Sequence, residues 1–148
     1  MRSLFEPAAR DDVIARLERF TPECERQWGK LTPHMTLTHL ADQLRMAFGE
    51  VRCGPPRGAL SHWPLNYLLI HVVPWPKGKA KGPPDAFRTA PSDWATDRAA
   101  VVALVQRFAA ADPAGSWPAN PIFGKLSGHD WGALCYKHLD HHLRQFSC

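Results

Sequence analysis

The sequence predicts an all-α fold, a four-helix bundle whose helices are connected by long proline-rich loops. Apolar residues recur at helical spacing in four segments, and clean strand-type alternation is absent. Prolines concentrate between these segments, in residues 74–91 and 113–126. With 148 residues and 45% apolar composition, the chain is predicted to form one domain over residues 1–148.

The first two helices are marked by their apolar stripes and by residues typical of helix ends. The first is predicted over residues 7–20, where apolar positions recur every three or four residues. The second is predicted to begin at Thr32, a suitable N-cap that is followed by proline. It is predicted to end at Gly49, because glycine commonly terminates helices.

The remaining helical segments differ in how clearly the sequence defines them. Residues 59–73 fit either a third helix or a buried strand, because their second half is rich in β-branched residues. The next helix is predicted to start at Ser92 as its N-cap, with acidic residues in the first turn. The last is predicted to start at Ser127, which pairs with Asp130 in a capping box, and to run to about residue 146.

Composition limits the compartment and the redox state that we expect. The N-terminus has no apolar run of signal-peptide type, and no stretch approaches the roughly 20 apolar residues of a membrane span. We therefore expect a cytoplasmic protein without a membrane partner. The four cysteines contain no CxxC pair, so we expect reduced thiols, with Cys148 exposed and Cys135 buried.

The formal net charge of +4 is a weak indication of nucleic-acid binding. The one basic cluster, Lys77, Lys79 and Lys81, is interrupted by glycine and flanked by proline, which favours a solvated loop. Together with Arg88 it could instead bind an anionic substrate or nucleic acid. Because no nucleic-acid docking motif is present, nucleic acid is not an expected partner.

The C-terminal segment YKHLDHHLRQF carries three of the chain's eight histidines. At about 100° per residue on a helix, His138 and His142 fall in the same apolar arc as Trp131, whereas His141 falls at its border. The i,i+4 spacing places His138 and His142 one above the other, so that both imidazoles can bind one metal ion.

A metal site needs at least one more ligand, which must come from another helix. His39 is the best candidate, because it stands mid-helix at an angle to the leucine stripe; His71 is the runner-up. Asp42, three residues after His39, is a candidate fourth ligand or an acceptor that orients an imidazole. From the pattern alone, hydrogen-bonded core histidines are the alternative to ligands.

The segments HLADQL and FGKLSGHDWGALCYKHLDHHLRQF, together with the helical layout, resemble the DinB-like (DinB/YfiT-like) superfamily of metalloenzymes over about residues 28–146. The chain is most similar to a subfamily of unknown function that ends in HxxHHLRQF. The resemblance implies a DinB-like four-helix bundle, commonly a homodimer, with a metal held by three histidines. Matched by motif, these are His39, His138 and His142, and His141 is the neighbouring histidine that is not a default ligand.

The same resemblance implies a reaction class and supporting residues. It implies a metal-dependent hydrolase, or a transferase that uses a low-molecular-weight thiol such as bacillithiol or mycothiol, acting on a small molecule. Zinc or nickel is the expected ion. His141 and Asp42 are the predicted acid/base or supporting groups, and Met35 and Trp131 are predicted to line the pocket.

One position departs from the family pattern. Relatives often have His-Pro before the Phe-Gly of the loop that precedes the last helix, whereas this chain has Asn120-Pro121. The departure puts any pocket role of that residue in doubt. Together with the lack of an obvious general base, it motivates an alternative hypothesis: a non-catalytic stress-response module that binds a metal or another ligand.

Overall fold

The computed structural model describes residues 2–78 and 84–148. Within these two ranges the chain forms five α-helices and one short two-stranded sheet. The α-helices are α1 (Pro7–Arg19), α2 (Pro33–Ala47), α3 (Leu65–Tyr67), α4 (Trp94–Ala109) and α5 (Gly128–Leu143), and the strands are β1 (Glu25–Arg26) and β2 (Phe146–Ser147). The predicted all-α class is therefore confirmed.

The four long helices share one hydrophobic core. α2 packs against α4 and α5, and α1 packs against the same two helices. Each of them contributes fully buried apolar side chains, among them Val13 and Leu17 of α1, Leu40 and Leu44 of α2, Val105 and Phe108 of α4, and Trp131 and Leu139 of α5. Burial of these side chains is the main force that fixes α2 beside α5.

The helix ends follow local capping chemistry, with one difference from the sequence prediction. The Thr32 side chain accepts from Met35 N, and Ser127 forms the predicted capping box with Asp130. The N-cap of α4 is Asp93, whose side chain accepts from Thr96 N, and not Ser92. Ser92 is instead bound by the side chain of Asp97. The helix is thus capped by the Asp93 carboxylate, and the predicted cap, Ser92, lies one residue earlier and donates to Asp97.

The ambiguous segment 59–73 is neither a long helix nor a strand. It consists of a 3₁₀ turn (Ala59–Ser61), the short helix α3 and a π-helical turn (Leu68–Val72). Lys137 of α5 donates to the carbonyls of Leu69 and Val73 at 2.7 Å each. This lysine satisfies carbonyls at the end of the π turn, where no further helical N–H follows.

The chain end is tied to the segment after α1. β1 and β2 pair antiparallel, with Glu25 opposite Ser147 and Arg26 opposite Phe146. Directly beyond this pair, Cys24 and Cys148 form a disulfide, so the prediction of reduced thiols is wrong for these two residues. The cysteines lie 124 positions apart in the sequence, and the pairing of β1 with β2 brings them together.

Three further predictions concern the burial of two cysteines, membrane spans and the basic cluster. Cys135 is buried and Cys148 is exposed, as predicted. No helix in the described residues is long and apolar enough to cross a membrane. In the basic cluster, Lys77 is exposed, whereas Lys79 and Lys81 lie outside the described residues.

Candidate metal centre

Three histidine rings from two helices meet at one place. His39 projects from the middle of α2, and His138 and His142 lie one turn apart near the end of α5. His39 Nε2 lies 3.0 Å from His138 Nε2 and 3.1 Å from His142 Nε2. One nitrogen from each ring lies within 4.8 Å of the other two. The three residues predicted as ligands thus form a cluster that could hold a metal ion.

A backbone carbonyl determines which nitrogen of His39 carries the proton. His39 Nδ1 lies 2.7 Å from Ala86 O, and because a carbonyl only accepts, Nδ1 is the donor. In the neutral ring, Nε2 therefore has a lone pair and no proton. Phe87 stacks on the imidazole with ring centroids 4.4 Å apart and planes inclined by 12°. The residues of one short 3₁₀ turn (Pro84–Phe87) thus orient the ring.

Gln145 determines the protonation of His142 in the same way. His142 Nδ1 lies 2.8 Å from Gln145 Oε1, so Nδ1 donates and Nε2 again has a lone pair. Gln145 is 5% exposed, and its backbone carbonyl accepts from Gln27 N at 2.7 Å. Gly29, with φ +84°, permits this close packing, because a Cβ there would lie 2.6 Å from Gln145 Nε2. Gln145 is therefore held firmly behind His142.

His138 completes the cluster from the buried side. It is 9% exposed, and its Nδ1 has no hydrogen-bond partner among the described residues. Its Nε2 points toward His39 Nε2. No group in the described part of the chain therefore competes with the cluster for His138, although one buried nitrogen is left unsatisfied.

Burial holds all three imidazoles in the neutral form. It lowers the pKa of His39, against weaker opposing effects of the Ala86 carbonyl and Asp42. Burial, and secondarily the neighbouring histidines, lowers the pKa of His138 well below its usual range. Burial and then His39 lower the pKa of His142 to about 3. Neutral imidazole is the form that binds metal ions.

The donor set fits a divalent metal ion. Because Nδ1 is the donor in both His39 and His142, two lone pairs face each other across 3.1 Å, which is repulsive without a shared cation. Two imidazoles on one tetrahedral zinc ion, at bonds of about 2.0 Å, have nitrogens about 3.3 Å apart. The separations of 3.0 and 3.1 Å from His39 Nε2 are close to that value.

Asp42 lies outside this donor set. Its Oδ2 accepts from the backbone N–H groups of Arg88 at 2.8 Å and Thr89 at 2.7 Å. Its Oδ1 accepts from the Thr89 hydroxyl and from Arg45. The structure therefore places Asp42 neither as a fourth ligand nor as a direct acceptor for an imidazole. It holds the segment whose Ala86 carbonyl orients His39.

A cavity of about 730 Å³ opens beside the cluster. The three clustered histidines, His141 and Gln43 line it together with apolar side chains that include Leu69, Trp75, Phe87, Ile122 and Phe123. Apolar cavities with a few convergent polar groups are the usual form of small-molecule sites. The cluster therefore lies where a ligand from solvent could reach it.

His141 lies on the cavity wall, as its border position on the helix suggested. Its ring makes edge contacts with Trp28 at 4.7 Å and with Trp75 at 5.6 Å between centroids. Burial lowers its pKa. It is thus a neutral imidazole that lines the cavity next to His142 without belonging to the three-histidine cluster.

The two residues predicted to line the pocket do not line this cavity. Met35 is 42% exposed, a full helical turn before His39. Trp131 is fully buried in the core, and its Nε1 donates to Pro118 O at 2.9 Å. The pocket prediction is wrong for both, because a helical phase shared with a metal ligand does not distinguish the cavity wall from the core, where Trp131 lies, or from the exposed surface, where Met35 lies.

Other histidines have local partners. His71, the runner-up for the third ligand, lies on the π turn with Nε2 2.7 Å from Asp130 Oδ1, outside the cluster. His34 is half-buried with Nε2 2.7 Å from Asp97 Oδ2. His62 and His129 are exposed.

Of the residues that support the site, Gln145 was not found from the sequence, and Asn120 was noted only as a departure from the family pattern. Gln145 follows His142 by three positions, but the helix was expected to continue past it, and α5 ends at Leu143. Asn120, at the position that departs from the family pattern, lines the cavity. Its Oδ1 accepts from Ile122 N and Phe123 N, so it shapes the turn that carries two wall residues.

Comparisons of this chain with protein-family models, with curated proteins and with solved structures found no significant match.

Proposed function

We propose that the protein is a metal-dependent enzyme that acts on a small molecule through a centre formed by His39, His138 and His142. One observation carries the proposal: the Nε2 lone pairs of His39 and His142 face each other at 3.1 Å. Their Nδ1 protons are engaged by Ala86 and Gln145. A shared divalent cation satisfies both rings, with zinc or nickel preferred by nitrogen donors.

Three imidazole ligands leave further coordination positions for water or substrate. A metal ion held in this way supplies a Lewis acid that lowers the pKa of a bound water or thiol. The remaining roles belong to the chain. Ala86 and Gln145 orient two of the ligands, and the apolar walls of the cavity limit the access of water. Both hydrolysis and thiol-dependent transfer are compatible with this arrangement.

His141 is the residue that we propose moves a proton. It lines the same cavity as the ligands, and its ring centroid lies 5.4 Å from that of His142. Burial lowers its pKa, so it is neutral at pH 7 and can accept a proton from a reacting group. Its contacts with Trp28 and Trp75 fix its position at the wall.

Membership of the DinB-like superfamily, with its four-helix bundle and homodimer, belongs to the same proposal. It is supported by the convergence of the three motif histidines and by the common core of the four long helices. Light scattering of the purified protein tests the dimer, and a monomer at micromolar concentration would reject that part.

A second candidate function is metal or ligand binding without turnover. It is favoured by the engagement of Asp42 and by the absence of a carboxylate among the described residues that line the cavity. The two candidates share the metal centre and differ in turnover. Zinc-loaded protein that hydrolyses no member of a panel of neutral aryl esters, and transfers no thiol, supports the second.

The metal centre is tested by metal content. Untagged protein is dialysed with zinc or nickel chloride, and bound metal is measured beside a His39→Ala/His138→Ala/His142→Ala variant. We expect about one ion per chain in the wild type, none in the variant, and a higher melting temperature only for the loaded wild type. A His62→Ala/His129→Ala variant, which loses two exposed histidines, is the control and should match the wild type. Equal, substoichiometric metal in the wild type and the triple variant rejects the centre.

A further inference from the structure

The walls of the cavity indicate the chemical class of its ligand, and this inference rests on the proposed metal centre. We infer that the ligand is a small molecule with a flat apolar body, no positive charge, a metal-binding atom at one end and a hydrogen-bond donor for Gln43. The flat apolar body, the lack of positive charge and the donor for Gln43 are specified neither by the three metal-binding histidines nor by the resemblance.

The apolar body is inferred from the aromatic walls. Trp75 and Phe123 lie nearly parallel, inclined by 14° with centroids 6.4 Å apart. Trp75 Nε1 donates to Leu69 O at 3.0 Å, so the polar atom of the indole is satisfied within the protein. Phe87, on the His39 side, is 47% exposed. A large aromatic ring left open beside a buried cluster is typical of a ligand surface.

The charge of the ligand follows from the charged residues near it. Lys30 is the one charged side chain, and no carboxylate occurs, among the described residues that line the cavity. Nothing among these described lining residues therefore balances a cationic ligand. A cationic ligand would lose its hydration without a partner, which disfavours binding. A volume of about 730 Å³ accommodates a drug-sized molecule.

Gln43 supplies the polar contact. It follows His39 by one helical turn, which places the two side chains on one face about 6 Å apart. It lines the cavity and is 7% exposed, yet its Oε1 has no hydrogen-bond partner in the described part of the chain. Buried acceptors are normally paired. Because the terminal amide torsion is soft, rotation of the amide presents this oxygen to a ligand N–H or O–H.

Three imidazole derivatives test these features on zinc-loaded protein by calorimetry. 4-Phenylimidazole has a metal-binding nitrogen, an N–H and an aromatic body; imidazole lacks the body, and 1-methyl-4-phenylimidazole lacks the N–H. We expect the phenyl group to tighten binding about 30-fold and N-methylation to weaken it about fivefold. An imidazole that carries a trimethylammonioethyl group on carbon 4, which has a permanent positive charge and no second metal-binding nitrogen, should bind no more tightly than imidazole. Affinities of imidazole and 4-phenylimidazole within twofold, or tighter binding of the trimethylammonio derivative, overturn the inference.

Two variants locate the contacts. Gln43→Met keeps the side-chain length and removes the acceptor, so it should abolish the preference for the N–H probe over its methylated form. Ile122→Ser should reduce the advantage of the phenyl group at least threefold. Ile14→Ser, at a half-buried position on α1 away from the cavity, is the matched control. A preference for the N–H probe that persists in Gln43→Met overturns the role of Gln43, and where that variant does not fold, the methylated probe on wild type decides.

The metal centre and the ligand class can fail separately. The same probes are titrated into metal-free protein, and zinc binding is measured first. If zinc does not bind and metal-free protein still prefers 4-phenylimidazole to imidazole, the proposed function and the metal-binding atom of the ligand fail, and the apolar body of the ligand stands. If zinc binds at His39, His138 and His142 and the phenyl group gives no gain, the ligand class fails and the metal centre stands.

Discussion

Asp42 and His39 are neighbours on one face of α2, yet they are connected through the backbone of another segment and not directly. Asp42 Oδ2 binds the N–H groups of Arg88 and Thr89. The same segment places the Ala86 carbonyl 2.7 Å from His39 Nδ1. Helix α2 therefore carries both the metal ligand His39 and Asp42, which binds the segment whose Ala86 carbonyl orients the His39 ring.

Replacement of Asp42 by asparagine should weaken metal binding without removing a ligand. The asparagine carbonyl can still accept from the N–H groups of Arg88 and Thr89, but its NH₂ replaces the oxygen that accepts from the Thr89 hydroxyl and from Arg45, on a side chain that is 1% exposed. We expect about 2 kcal/mol lower free energy of unfolding and about tenfold weaker zinc binding in a chelator competition. Asp93→Asn removes the same charge from an exposed cap that asparagine also fills well, so it should change zinc affinity less than twofold. Equal effects of the two variants would contradict the role of Asp42.

Gln145 should behave as a positioning residue for His142. Gln145→Leu removes the acceptor at 2.8 Å from His142 Nδ1, so the ring can adopt the tautomer with a protonated Nε2. We expect zinc binding to weaken about 10- to 100-fold. Gln145→Glu keeps both the acceptor and the shape of the side chain and should retain affinity near the wild-type value. Gln106→Leu, an exposed glutamine on α4, is the control in the same competition assay.

The helices and the ligand pair could be predicted because both depend on local periodicity. His138 and His142 share a face on any helix that contains them, and Ser127 and Asp130 form a capping box wherever such a helix starts. His39 required more, because only the packing of α2 against α5 brings it to the pair. Its position in the middle of the helix made it the best candidate, and the resemblance to a family indicated the same residue.

The other features of the fold and the site depend on contacts between residues that are far apart in the sequence, and residue spacing does not predict such contacts. The disulfide between Cys24 and Cys148 follows from the pairing of two strands of two residues each. Trp131 lies in the core because other elements cover its side of α5. Met35 is exposed because no other element among the described residues covers its side of the first turn of α2. The segment 59–73 takes its irregular form partly because Lys137 binds its carbonyls.

Metal-free protein should lose stability in mild acid. The folded state keeps His138 and His142 neutral because their pKa values are lowered, the latter to about 3. The unfolded chain binds protons below about pH 6.5. The unfolded state therefore binds more protons, and the free energy of unfolding falls as the pH decreases from 6.5, by up to about 1.4 kcal/mol per pH unit for each histidine.

Urea unfolding in EDTA between pH 7.5 and 5 measures this slope. The His62→Ala/His129→Ala variant should show the wild-type slope, because it leaves the cluster intact. His142→Gln should show a shallower slope, since one of the proton-binding groups is lost. A free energy of unfolding that stays constant over the range would contradict neutral, buried imidazoles in the folded state.

The disulfide should stabilise both the fold and the metal centre. Cys24 and Cys148 close a loop of 124 residues, and such a link typically contributes about 2–4 kcal/mol. It also anchors the pair β1–β2, next to the bond from Gln27 N to Gln145 O. Reduction should therefore lower the melting temperature and weaken zinc binding, but less than Gln145→Leu does. A Cys24→Ser/Cys148→Ser variant should resemble the reduced wild type and be insensitive to dithiothreitol.

Thiol counting checks the pairing directly. In urea without reductant, alkylation should modify two cysteines, Cys53 and Cys135, and after reduction it should modify all four. In the folded protein Cys135 should stay unmodified at pH 8, because burial raises its pKa to about 12 and thiolate is the reactive form. Four modified thiols in urea without reductant would show that Cys24 and Cys148 are not linked, and the expected effect of dithiothreitol on stability would then be absent.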